Sequence, residues 1–216
     1  MNVQEERLEE RRAAIIAAAH ELFVENGYDA VSLTAIVRKS GGSLATLYKL
    51  FGSKEGLLLA IVRDDPGRPV FHEDIRVLTQ KGEDPAAILL EIGLQLTAHL
   101  SRPDFNALLR ILIGQSLRDT DWARRLDALV GEPAEKSLSE SFARWQEEGV
   151  VEPQHDPDEL AATFLALLIY PYHTIAIRGR ATTANRAAME RSIRRFIRGC
   201  FVLDKIPPQF WARRHD

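Results

Sequence analysis

KSGGSLATLYKLFGSKEGLL, residues 39–58, carries Lys39, Lys49 and Lys54 and admits no carboxylate before Glu55, in a chain whose net charge is −3. A helix that only packs against a core has no reason to keep acids off its solvent face; one that approaches a polyanion does. The acid-free window runs from Ala30 to Lys54 and holds Arg38 as well, a local charge of +4, whereas residues 1–29 carry seven acids against three arginines. Charge alone fits a solvated lysine face better than a binding surface. The punctuation changes that balance. Gly41-Gly42 breaks one short helix and Ser43 can cap the next; Gly52-Ser53 breaks and caps again.

The spacing predicts helices over 33–40, 44–51 and 54–63, after a first helix from about Glu5 to Glu25. That first helix repeats apolar residues at Leu8, Ile15, Ile16, Ala19, Leu22 and Phe23 and stops at Asn26-Gly27. Two short helices joined by a glycine turn have the layout of a helix-turn-helix. The second must cross the first steeply, which asks for a residue without Cβ in the turn, and Gly41 supplies it. The second helix then projects, and its first residues can enter a DNA major groove about 12 Å wide.

Around this segment the chain reads as all-α, with about nine helices and no alternating strand pattern. DDPGRPV, residues 64–70, is a composition break and the expected boundary between residues 1–63 and residues 64–216. Beyond it, prolines mark helix starts at Pro85, Pro103, Pro133 and Pro157, a shorter helix covers 121–130, and a last one spans about 183–203. Pro207-Pro208 is expected to end regular structure. One cysteine, Cys200, excludes an internal disulfide framework and fits a reducing cytoplasm. The charged start MNVQEERLEERR is no signal peptide, and LAATFLALLIYPYHTIAI is interrupted by Pro171 and His173, so no membrane span is expected. The six histidines, at 20, 72, 99, 155, 173 and 215, have no metal-ligand spacing, and no nucleophile with its base stands out. Neither a metal nor a cofactor is expected. The arginines at 178, 180, 186, 191, 194, 195 and 198 read as the charged face of an amphipathic last helix.

NGYDAVSLTAIVRKSGGSLATLYKLFGSKEGLL, residues 26–58, resembles the N-terminal DNA-binding domain of the TetR/AcrR transcriptional regulators. The run TLYKLFGSKEGLL fits that family's TLYxxFxSKExLL pattern, with Gly27-Tyr28, Ser32, Ile36 and Gly41 upstream. Val37 and Gly42 depart from it, since the family has a small and an apolar residue at those places. The resemblance implies a cytoplasmic DNA-binding regulator, not an enzyme, acting as a homodimer on a palindromic double-stranded operator and repressing until an apolar or aromatic small molecule releases it. The implied DNA-contacting residues are Ser32, Thr34, Lys39, Ser43, Leu44, Thr46, Tyr48, Lys49 and Lys54. Lys54 and the first backbone N–H groups of its helix can both meet phosphate.

DFNALLRILIGQSLRDTDWARRLDAL, residues 104–129, resembles the C-terminal domain of AefR-like members. Candidate walls for an effector pocket are His99, Phe105, Leu109, Ile113, Trp122, Phe142, Trp145 and Tyr172. LAATFLALLIY, residues 160–170, is apolar nearly all round and needs cover on every side. With the stripe on the last helix it suggests a four-helix dimer core built on Phe164, Leu168, Tyr172, Ile193, Phe196 and Ile197. On the residues alone, an α-helical enzyme and a helical interaction protein that never touches DNA remain open.

Overall fold

Three serine hydroxyls start the three short helices near the N-terminus. In this computed structural model, which describes residues 3–65, 71–178 and 186–212, Ser32 accepts from the Ala35 N–H, Ser43 from Thr46 and Ser53 from Gly56, at 3.0–3.1 Å. Each bond satisfies a donor that the first helical turn leaves without a partner. The helices are α1 (Val3–Asn26), α2 (Leu33–Ser40), α3 (Leu44–Phe51) and α4 (Lys54–Arg63). The expected bounds of α2, α3 and α4 hold to the residue. Gly41 takes φ 73° as the C-cap of α2, the left-handed turn that a glycine enters at least cost.

Then follow α5 (Phe71–Gln80), α6 (Pro85–Leu100), α7 (Pro103–Arg118), α8 (Thr120–Glu147), α9 (Pro157–Arg178), α10 (Arg186–Cys200) and α11 (Pro208–Ala212). Eleven α-helices among the described residues exceed the nine expected, for identifiable reasons. FHEDIRVLTQ, to which the sequence assigns no helix because neither a proline start nor a long apolar stripe marks it, forms α5. Pro133 opens no helix: α8 runs through it, and because Pro133 is exposed, water can serve the carbonyl it leaves free. Pro208 begins a helix, where its missing N–H costs nothing. Pro66–Val70 of the expected boundary, the expected start of the last helix at Thr183, and Arg180 lie outside the described residues.

The chain divides into two compact units, Met1–Pro66 with Ala107–Leu126, and Gly67–Asn106 with Asp127–Asp216. In the first, α1 packs on α2 and α4, and α3 on both α2 and α4, around Ile15, Ala19, Phe23, Ile36, Leu47, Leu57 and Leu58. Leu8, expected on the apolar stripe of α1, is 41% exposed. It lies beyond the turn of α1 that the other helices cover.

In the second unit α6 is the central rod, with α5, α9 and α10 against it. It runs so close to its neighbours that a Cβ on Gly93 would stand 2.6 Å from Ile193 Cδ1 and 3.2 Å from Leu168 Cδ2. An aromatic cluster completes this core, with Phe142 edge-on to Trp145 at 5.6 Å and Phe196 at 5.3 Å from Phe164. Phe164, Leu168, Tyr172, Ile193 and Ile197 are therefore fully covered within one subunit and have no surface to offer a second copy; Phe196 is half-buried. A helix apolar all round gives its larger side chains to its own core first. Of its apolar residues α9 leaves Ala162, Ala166, Tyr170 and Ile177 outside, with Leu165 and Ile169 half-covered and the polar Thr163 and His173 exposed among them.

Pro171 lies inside α9 without ending it, so α9 is, by length and composition alone, long and apolar enough to cross a membrane. The same test is passed by helices in the cores of soluble proteins.

Candidate nucleic-acid interface

The outward face of α3 is set by one buried leucine. Leu47 is fully buried and fixes the rotation of α3, which turns Ser43, Leu44, Ala45, Tyr48 and Lys49 outward. Tyr48 is 53% exposed and Leu44 39%, high values for large apolar side chains on a helix only two turns long. Thr46 is half-covered, and its hydroxyl lies 2.9 Å from that of Ser43. On α2, Ser32 and Thr34 are exposed at the start and Lys39 at the end, where Lys39 is ion-paired with Glu21. No Asp or Glu lies between Ala30 and Lys54 to oppose an approaching phosphate.

Lys54 behaves differently from the rest of the set. Its ammonium donates to the Tyr28 carbonyl at 2.5 Å and sits 4.4 Å from the centre of the Tyr28 ring. Burial draws its pKa below the ordinary lysine value, while Asp29 and Glu55 nearby work the other way. Glu55, next along α4, is held below the usual carboxylate range by the Ser53 hydroxyl.

Sequence reasoning passed over the residue that secures the turn. Arg11, on α1, donates to the Gly41 carbonyl at 2.6 Å and the Ser40 carbonyl at 3.3 Å, closing the end of α2 from outside. Arg12 is ion-paired with Asp64 at the C-cap of α4. In EERLEERR both arginines look like part of a solvated charged face, and nothing local marks them out.

The eight pocket candidates divide between the units. Leu109 and Trp122 are buried in the first, and Ile113 is half-buried there. His99, Phe105, Phe142, Trp145 and Tyr172 are buried in the second. The His99 and Phe105 rings are 4.4 Å apart. The Tyr172 hydroxyl donates to the Thr97 carbonyl at 3.0 Å and lies 3.0 Å from Ser101 Oγ, which ties α9 to the end of α6. Among the described residues no group of three or more His, Cys, Asp or Glu side chains is placed to hold a metal.

A capped helix pair with a glycine turn, a projecting second helix and a carboxylate-free tip define a helix-turn-helix DNA-binding head. Residues 15–61 match the family described as bacterial regulatory proteins, tetR family, and residues 87–201 match the AefR-like transcriptional repressor C-terminal domain. Together the two matches identify the chain: it belongs to the TetR family of transcriptional regulators. It is 42% identical over 66 residues to the HTH-type transcriptional regulator UidR of Escherichia coli K12, which is 30% of this chain and 34% of UidR. It is 33% identical over 94 residues to the HTH-type transcriptional repressor AcnR of Corynebacterium glutamicum, 39% of this chain and 50% of AcnR. The chain thus spans between a third and a half of the length of these curated relatives. In fold it is similar to a TetR-family transcriptional regulator from Mesorhizobium loti, with TM-score 0.74, 24% identity, and coverage of 91% of this chain and 99% of that one.

Proposed function

We propose that this TetR-family regulator is a repressor that binds a palindromic DNA operator as a homodimer and is released by an apolar or aromatic small molecule. The observation that carries the reading is the outward face of α3. Ser43, Leu44, Tyr48 and Lys49 stand exposed on a helix locked by Leu47, in a window without acids. Polar tips at the start of the helix would read base edges, Leu44 would meet a thymine methyl, and Lys49 would neutralise a phosphate. Ser32, Thr34 and Lys39 would border the same groove. In this reading residues 1–63 read DNA in the cytoplasm, and residues 64–216 pair the subunits and take the effector.

Pairing is supported by the uncovered apolar face of α9, centred on Ala166 and Tyr170. A stable interface of this kind buries about 800 Å² on each partner. Two heads about 34 to 36 Å apart would then meet successive major grooves. The buried aromatic residues of the second unit support an apolar or aromatic effector. Such a molecule acts only through a difference in its affinity for the two head spacings.

Selection of bound duplexes from a random DNA pool tests the reading. A recovered palindrome is the expected result, and Tyr48→Ala should weaken binding to it about tenfold or more while leaving the thermal midpoint unchanged. Absence of any enrichment at low salt would defeat the proposal.

A further inference from the structure

Lys54 occupies the first turn of α4, where a cation is expected to face phosphate, yet its ammonium points into the head. It holds the Tyr28 carbonyl at 2.5 Å and lies 4.4 Å from the Tyr28 ring centre and 5.7 Å from that of Phe23. Leaving this place would break a charge-assisted hydrogen bond, give up two aromatic faces and leave the Tyr28 carbonyl with only the Val31 N–H at 3.3 Å.

The same short loop is gripped from a second direction. Tyr28 is buried, its ring 5.0 Å from that of Phe23 and its hydroxyl beside the Gln115 and Glu55 side chains. Burial pushes its pKa up to about 12. The next residue, Asp29, takes the Arg118 guanidinium at 2.8 Å. Gln115 and Arg118 belong to the last turn of α7, one turn apart on one face. One loop residue, Asp29, is therefore held by α7 while Lys54 holds its neighbour Tyr28 from α4.

What happens at Lys54 is passed on to α3. A Cβ on Gly56 would fall 2.0 Å from the Phe51 carbonyl oxygen, so the first turn of α4 is seated directly on the last residue of α3. Only Gly52 and Ser53 separate the two helices.

We propose that Lys54 is a positioning residue rather than a phosphate contact: it pins the Tyr28–Asp29 loop to α4, and Arg118 sets the pose of the recognition helix through that pin. The proposal rests on the DNA-binding reading above. Backbone N–H groups at the start of α4, together with Lys49, are left to face the phosphates.

The test uses the full-length protein and a duplex recovered from the random pool. Affinity is measured across a salt series for the wild type, Lys49→Gln and Lys54→Gln. Each phosphate neutralised contributes about −0.9 to the slope of log affinity against log salt. Lys49→Gln should flatten that slope by about one. Lys54→Gln should weaken binding tenfold or more at every salt with the slope unchanged; a slope flattened by about one would overturn the pin. Amine acylation of the wild-type protein guards against a variant that does not fold. DNA should protect Lys49 severalfold and leave the slow reaction of Lys54 unaltered, whereas new protection of Lys54 by DNA refutes the assignment.

Arg118→Gln tests the α7 grip. It should raise the acylation rate of Lys54 in the free protein and weaken operator binding twofold to fivefold, and no change in either rejects the grip. A wild-type protein that binds no duplex would sink the DNA reading instead. The free-protein acylation of Arg118→Gln would then still decide whether α7 acts on Lys54.

Discussion

The two units are specified in different ways. In the head, α2, α3 and α4 are eight to ten residues long, and each begins on a serine that bonds its own first turn. In the second unit, α6 begins on Asp84, whose carboxylate accepts from Ala86 and Ala87 at 3.1 Å, but its course is set by burial along most of its length. A short helix has few residues over which to recover the cost of nucleation, so its ends matter. A long helix among other helices is held by the side chains it fills. The head is a device of ends and turns, and the second unit is a device of volume.

That contrast can be broken by substitution, and the largest effect should come from the second unit. Phe142 is fully buried between Trp145 and Phe196, and Phe142→Ala should cost about 3 to 5 kcal/mol, read as a shift of the denaturant midpoint. Gly93→Val should cost about 1 to 3 kcal/mol, because Ile193 and Leu168 already close on the space its side chain would need.

Alkaline pH should act on the same unit. Burial raises the Cys200 pKa to about 12, above the value of a free thiol near 9. A neutral thiol therefore favours the folded state below about pH 9, and this contribution is lost as pH climbs from there toward 12. The loss is at most about 1.4 kcal/mol per pH unit. Urea melts at pH 8 and pH 10 should differ more in the wild type than in Cys200→Ser, which has no thiol to ionise. An equal loss in both would remove Cys200 from the account.

In the head, Ser43→Ala should cost only about 1 kcal/mol, while its effect on operator binding should be larger than its effect on folding. Leu8→Gln should leave stability within about 0.5 kcal/mol, since Leu8 is already exposed. If Ser43→Ala destabilised the chain as much as Phe142→Ala, ends and volume would not be separate principles here.

The same distinction explains what could be read from the chain before its structure. Ser32, Ser43, Ser53, Gly41 and Gly52 act within three or four residues of themselves, so the bounds of α2, α3 and α4 were legible. Tyr48 and Lys49 were named through the family resemblance, whereas Leu47 as the buried residue of α3 was not singled out. Arg11 was not legible, because its partners Ser40 and Gly41 are 29 and 30 positions away. The inward turn of Lys54 was hidden in the same way by its partner Tyr28, 26 positions off. Prolines misled in both directions. Pro133 sits inside a helix and Pro208 begins one, because what a proline does depends on whether its lost hydrogen bond was needed. The inner and outer faces of α9 could not be told apart from an almost uniformly apolar run, and packing against α6 and α10 made the choice.

The head's unit includes Ala107–Leu126, a segment more than forty residues beyond Arg63 at the end of α4. Recombination that swaps only the first sixty-odd codons between two such genes would part Asp29 from Arg118. A hybrid regulator made from this gene should inherit both pieces from the same parent, or have the lost pair rebuilt by hand.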